Sequence, residues 1–125
     1  MTKGYIHLYT GDGKGKTTAA FGLAVRALCA GKKVYIGQFV KSMQYNETHI
    51  AEKFDQIVVE QFGNGCMLIR EPDEEDMLMA HQGLVKCTNI LLSGEYDVVI
   101  LDELTIALFL NLVKLEEIIQ LLHSK

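Results

Sequence analysis

Tyr5-Ile6-His7-Leu8-Tyr9-Thr10-Gly11-Asp12-Gly13-Lys14-Gly15-Lys16-Thr17-Thr18 leads from an apolar, β-type run through a glycine-rich turn into Gly-Lys-Thr. This order is how a phosphate cradle is written. Glycines at 11, 13 and 15 admit positive φ and leave no Cβ between the backbone N–H groups and an anion. Lys16 adds a point charge, Thr17 a hydroxyl suited to Mg²⁺, and the helix expected to begin near Lys16 aims its positive end at the same place. The usual phosphate loop has glycine five residues before its Gly-Lys pair; Thr10 holds that position here.

Working outward, Lys16 to Ala30 reads as the phosphate-loop helix, with Gly31 where a helix C-terminus would put it. Lys33 to Phe39 and Ile57 to Phe62 read as strands, with a short helix between them around Glu47 to Phe54. Gly63-Asn64-Gly65 breaks the chain. Pro72 followed by Asp73, Glu74, Glu75 and Asp76 marks a helix start, where acids are favoured by the dipole; this explains the acidic cluster better than a metal site does. That helix carries Met77, Ala80, Leu84, Cys87 and Leu91 at three-and-four spacing up to Ser93-Gly94. Asp97 to Glu103 is an apolar strand ending in two acids, and Lys114 to Leu122 is a last amphipathic helix using Leu115, Ile118, Ile119 and Leu122. Strands alternating with helices predict an α/β fold of the P-loop NTPase kind: a parallel sheet with helices on both faces.

With 125 residues the chain is expected to be a single nucleotide-binding domain, residues 1–125, and 49% hydrophobic against 22% charged residues is ordinary globular composition. A net charge of −4 argues against a general nucleic-acid or membrane-surface binder. Cys29, Cys66 and Cys87 are odd in number and widely spaced, which predicts no disulfide framework or zinc site and a reduced, cytoplasmic setting. No leader or long apolar span is read from the sequence. His7, His49, His81 and His123 lack ligand spacing, and Tyr5, Tyr9, Tyr35 and Tyr96 read as packing residues.

The acids closing the Asp97–Glu103 strand supply the second half of a nucleotide site. A carboxylate at a strand's C-terminal end can reach the Mg²⁺ held by Thr17, and the residues alone leave open whether Asp102 or Glu103 touches it.

Three segments together, Thr10 to Gly22, Val34 to Lys41 and Tyr96 to Thr105, resemble the P-loop type of ATP:corrinoid adenosyltransferases, and the likeness runs from Lys3 to about Leu122. Thr10 in place of glycine is what this family carries. The resemblance implies transfer of the 5′-deoxyadenosyl group of ATP to the Co(I) form of a corrinoid, with release of triphosphate. Cobalt is then the nucleophile, so no side chain serves as catalytic acid or base. It further implies an ATP loop of Thr10, Gly11, Asp12, Gly13, Lys14, Gly15, Lys16, Thr17 and Thr18, with ATP lying in reverse along it. Thr17 and Glu103 would hold Mg²⁺ or Mn²⁺ with Asp102 close by, and Arg26 would lie near the nucleoside; a solvated helix charge is Arg26's other reading. The implied partners are cob(I)alamin or another corrinoid, a reduced flavoprotein as electron donor, and a second copy in a homodimer, with no nucleic acid and no membrane.

The family pattern continues past the last helix with a strand ending in Thr-Gly-Arg, whereas this sequence stops at His123-Ser124-Lys125. The expectation is a sheet lacking that strand, with Tyr5–Thr10 an open edge that dimerises or weakens the fold. Gly63-Asn64-Gly65-Cys66-Met67 also offers no aromatic residue to a corrinoid, and Cys66 and Met67 read as packing rather than cobalt ligands. Two other functions stay open on the residues: a phosphotransferase or ATPase in which Glu103 activates water or an acceptor hydroxyl, and a relative that binds ATP or corrinoid without catalysis.

Overall fold

The computed structural model describes residues 6, 15–40, 49–63 and 73–123. Among these, three strands form one parallel sheet in the order β2-β1-β3, with β1 (Val34–Phe39) between β2 (Ile57–Phe62) and β3 (Val98–Asp102). Helix α1 (Lys16–Cys29) precedes β1, and the short α2 (Ile50–Lys53) lies between β1 and β2. Helix α3 (Glu74–Ser93) crosses from β2 to β3, and α4 (Leu104–Phe109) and α5 (Leu115–His123) follow.

All six residues of β1 are buried, the signature of a parallel strand covered on both faces. Successive side chains of a strand point to opposite faces, and the core divides accordingly. Val34 and Ile36 pack with Ile57 under Phe21, Ala24 and Leu28 of α1. Tyr35 and Phe39 pack on the other side with Ala80, Leu84 and Cys87 of α3, Ala107 of α4 and Leu121 of α5. The helices cover both faces, as the sequence predicts.

Helix α3 begins with a reciprocal cap. The Asp76 N–H donates to Asp73 Oδ1 at 3.0 Å, and the Asp73 N–H donates to Asp76 Oδ2 at 2.9 Å. The acids at 73 to 76 are thus a helix start, two of them bonded to backbone and all near the positive end of the dipole. One expectation is corrected here: Met77 is 49% exposed, and the buried position of that turn is Asp76. The cap turns Asp76 inward, so the apolar stripe starts at Ala80, one turn later. Asp73→Ala is expected to lower stability by about 1 kcal/mol, read as a shift of the urea midpoint without a change in slope.

Helix α3 lies unusually close to the sheet. A Cβ built on Gly83 would come within 2.5 Å of Phe62 Cγ, and one on Gly37 within 2.9 Å of Cys87 Sγ, so glycine is required at both for this approach. Burial pushes the Cys87 thiol up to about 12, and burial with the neighbouring Cys87 and Glu60 pushes the Tyr35 phenol well above its usual range. Both are neutral at ordinary pH and serve as packing groups.

Several boundaries differ from expectation. The strand expected from Lys33 begins at Val34, the helix expected around 47–54 is seen among the described residues as Ile50–Lys53, with Glu47 and Thr48 outside them, and the strand expected to run to Glu103 ends at Asp102. Glu103 takes φ 62, a left-handed conformation that stops the strand and starts α4, which the sequence reading does not anticipate. Six residues are too few to display a helical period. The expected strand Tyr5–Thr10, apart from Ile6, lies outside the described residues, as do Asn64, Gly65 and Pro72.

Candidate nucleotide and metal site

The C-terminal ends of β1, β2 and β3 lie at one edge of the sheet, the edge at which ligands bind in open parallel folds. Helix α1 starts there. Its N-cap, Gly15, has φ 107 and ψ −1, and a Cβ at this residue would meet nothing within 4 Å. The requirement for glycine is therefore one of backbone conformation, as the sequence reading expects of the loop. No acidic residue stands in the first turn of α1, and half-buried Lys16 is its first residue, so the helix offers an anion both its positive end and a cation.

Thr17 reaches from α1 to the end of β3. Its Oγ1 lies 3.0 Å from Asp102 Oδ1 and 3.2 Å from Oδ2, and donates to this carboxylate. A hydroxyl whose proton is directed at a carboxylate keeps its lone pairs for a cation. Asp102, only 7% exposed, also accepts from Gln38 Nε2 at 3.2 Å, and Gln38 Oε1 in turn accepts from Gln61 Nε2 at 3.0 Å.

These donors fit Mg²⁺. The ion prefers hard oxygen ligands and is usually held by one or two protein oxygens together with substrate phosphates and water. Among the described residues there is no group of three or more His, Cys, Asp or Glu that could form an all-protein cage. Hydroxyl and carboxylate beside a helix N-terminus suit a metal that arrives with its phosphates.

Of the residues singled out in the sequence, the structure brings together Gly15, Lys16, Thr17 and Asp102. Glu103 follows directly, half-buried, and its side chain forms no cap bond to α4. Thr18 is exposed on the first turn of α1. Arg26 is exposed in the last turn, about 13 Å along the axis from Thr17, where a cation complements the dipole. Thr10, Gly11, Asp12, Gly13, Lys14, Cys66 and Met67 lie outside the described residues. His49 pairs with Glu52 at 3.2 Å and His81 with Glu117 at 3.3 Å.

Gln38 and Gln61 join this candidate site through Asp102, and the sequence reading misses both. Their signal is present: each is a polar residue one step from the end of an otherwise largely apolar strand. Among the described residues no helix is long and apolar enough to cross a membrane.

The family described as ATP:corrinoid adenosyltransferase BtuR/CobO/CobP matches residues 2–125. The corrinoid adenosyltransferase of Escherichia coli K12 is 35% identical over 124 residues, covering 98% of this chain and 63% of its own length. That of Salmonella typhimurium LT2 is 34% identical over the same shares, and one from a Sinorhizobium species is 31% identical over 126 residues, covering 98% of this chain and 59% of the relative. The chain thus spans about three-fifths of the length of these relatives.

Proposed function

Because the chain belongs to the ATP:corrinoid adenosyltransferase family, we propose that it transfers the 5′-deoxyadenosyl group of ATP to a Co(I) corrinoid such as cob(I)alamin and releases triphosphate. The observation that carries the proposal is the joining of Thr17 to Asp102 beside a left-handed Gly15 at the start of α1. This arrangement suits a polyphosphate with its metal.

Attack on the 5′ carbon needs that carbon exposed and a triphosphate leaving group stabilised. Backbone N–H groups at the start of α1 and the Lys16 ammonium would hold the phosphate charge, with Thr10 to Lys14 completing the loop. Thr17 and Glu103 would hold Mg²⁺ or Mn²⁺, Asp102 orienting the Thr17 hydroxyl, and the bound ion would neutralise charge developing on the triphosphate. No side chain needs to move a proton in this step. Arg26 would contact the nucleoside. We further propose that residues 1–125 act as one nucleotide-binding domain in the cytoplasm, pair as a homodimer, and receive cobalt in its reduced form from a flavoprotein.

The products test the function. With Co(I) corrinoid and Mg·ATP, the expected result is equimolar triphosphate and adenosylcorrinoid, resolved by anion-exchange chromatography and the corrinoid absorption spectrum. ADP as the main product would replace this function with phosphoryl transfer, and ATP binding without either product would leave a binding protein.

A further inference from the structure

Four polar side chains lie in a line across the C-terminal ends of the strands: Thr17 on α1, Asp102 on β3, Gln38 on β1 and Gln61 on β2. The strand register sets Gln38 level with Asp102 on one side and with Gln61 on the other. Level residues of a parallel sheet share a face, so the three meet without any special loop geometry.

The line can run in only one sense. An ionised carboxylate accepts and cannot donate, so Gln38 must turn its NH₂ towards Asp102. Its carbonyl then faces Gln61, which must present its own NH₂. Gln38 is fully buried, and an apolar side chain at this position would pack with no amide to satisfy, as Ile36 does two residues earlier on the same face. The amide is therefore not explained by packing.

We propose that Gln38 is a positioning residue for the metal site: its amide, fixed in orientation by Gln61, holds the Asp102 carboxylate in the rotamer that receives the Thr17 proton and so keeps the Thr17 lone pairs directed at Mg²⁺. The inference rests on the Mg²⁺-dependent ATP binding proposed for this site. Without this amide, Asp102 loses the Gln38 donor on Oδ2 and with it one restraint on its rotamer. The cost falls on the metal, because the backbone cradle and Lys16 hold the phosphates independently.

The test compares ATP affinity in EDTA with affinity across a Mg²⁺ titration, using volume-conserving variants. In Gln38→Met, the Mg²⁺ concentration for half-maximal ATP binding is expected to rise about tenfold, as for loss of a hydrogen bond to a charged group, while affinity in EDTA stays within about twofold. Gln61→Met should raise it about threefold, through loss of the lock on Gln38. The double variant should go no further than Gln38→Met, because Gln61 acts through Gln38. A parallel fall of affinity in EDTA, additive effects in the double variant, or an unchanged Mg²⁺ requirement would overturn the proposal. Should Gln38→Met not fold, the half-buried Gln61→Met decides alone: a raised requirement supports the role and an unchanged one refutes it. Absence of adenosyl transfer with these Mg²⁺ shifts intact would refute the enzymatic function and leave the role of Gln38 supported.

Discussion

Lys16→Ala is expected to weaken ATP binding about 100-fold or more, measured by calorimetric titration in Mg²⁺. Lys16 is the first residue of α1, next to the left-handed Gly15, so it carries a positive charge in the first turn, at the positive end of the helix. On the proposed function, removing it would delete a charge-assisted bond to phosphate that neither water nor the backbone can replace in kind. Lys14→Ala should cost less than about tenfold, because the phosphate-loop pattern assigns the phosphate-contacting charge to Lys16 and leaves Lys14 only general attraction that salt screens. Equal and small losses from the two variants would overturn the phosphate-loop assignment. Thermal midpoints of both variants should stay near that of the parent without ligand.

Gly83→Ala is expected to destabilise the protein by about 1–3 kcal/mol, although glycine to alanine inside a helix ordinarily stabilises by up to about 1 kcal/mol. The new methyl would lie 2.5 Å from Phe62 Cγ, 2.6 Å from Cδ2 and 2.9 Å from Cβ. Atoms this close to the backbone of β2 cannot swing away as the tip of a long side chain would. Phe62 also rests against Phe39, with ring centroids 5.4 Å apart, which limits its retreat. Gly22→Ala is the control, since a Cβ there meets nothing within 4 Å and should give the ordinary stabilisation. Urea midpoints compare the two, and a stabilised Gly83→Ala protein would show that α3 is not held so close to β2.

The parts of the molecule written in local chemistry are legible in the sequence. Proline and four acids announce α3, and the structure adds only which two of those acids bond to backbone. The glycine-rich turn announces the start of α1, and Gly15 has the positive φ that its residue type suggests. Asp102 is legible as half of a pair that sequence cannot split. Strand alternation would send adjacent acids to opposite faces, and the left-handed turn at Glu103 ends that alternation at the one position where it matters. Gln38 and Gln61 are illegible for a different reason. Their roles depend on the register of strands far apart in the chain, and register is fixed by the whole sheet rather than by neighbours in sequence. Met77 is misplaced by its spacing because periodicity counts apolar residues and is blind to a carboxylate that is buried because it caps a helix.

The hydrogen bond from Thr17 to Asp102 joins residues 85 apart, and β1 meets β3 through the pairing of Val34 with Val98. On the ribosome α1 and β1 are therefore made long before their partner. A nascent chain that has reached β2 can close one seam of the sheet, but it has no carboxylate for the Thr17 hydroxyl and no second neighbour for β1. On the proposed function, a nucleotide held through both halves of the site would stabilise only chains elongated past Asp102, so it would act after β3 has joined β1 and not as a template for the earlier pairing.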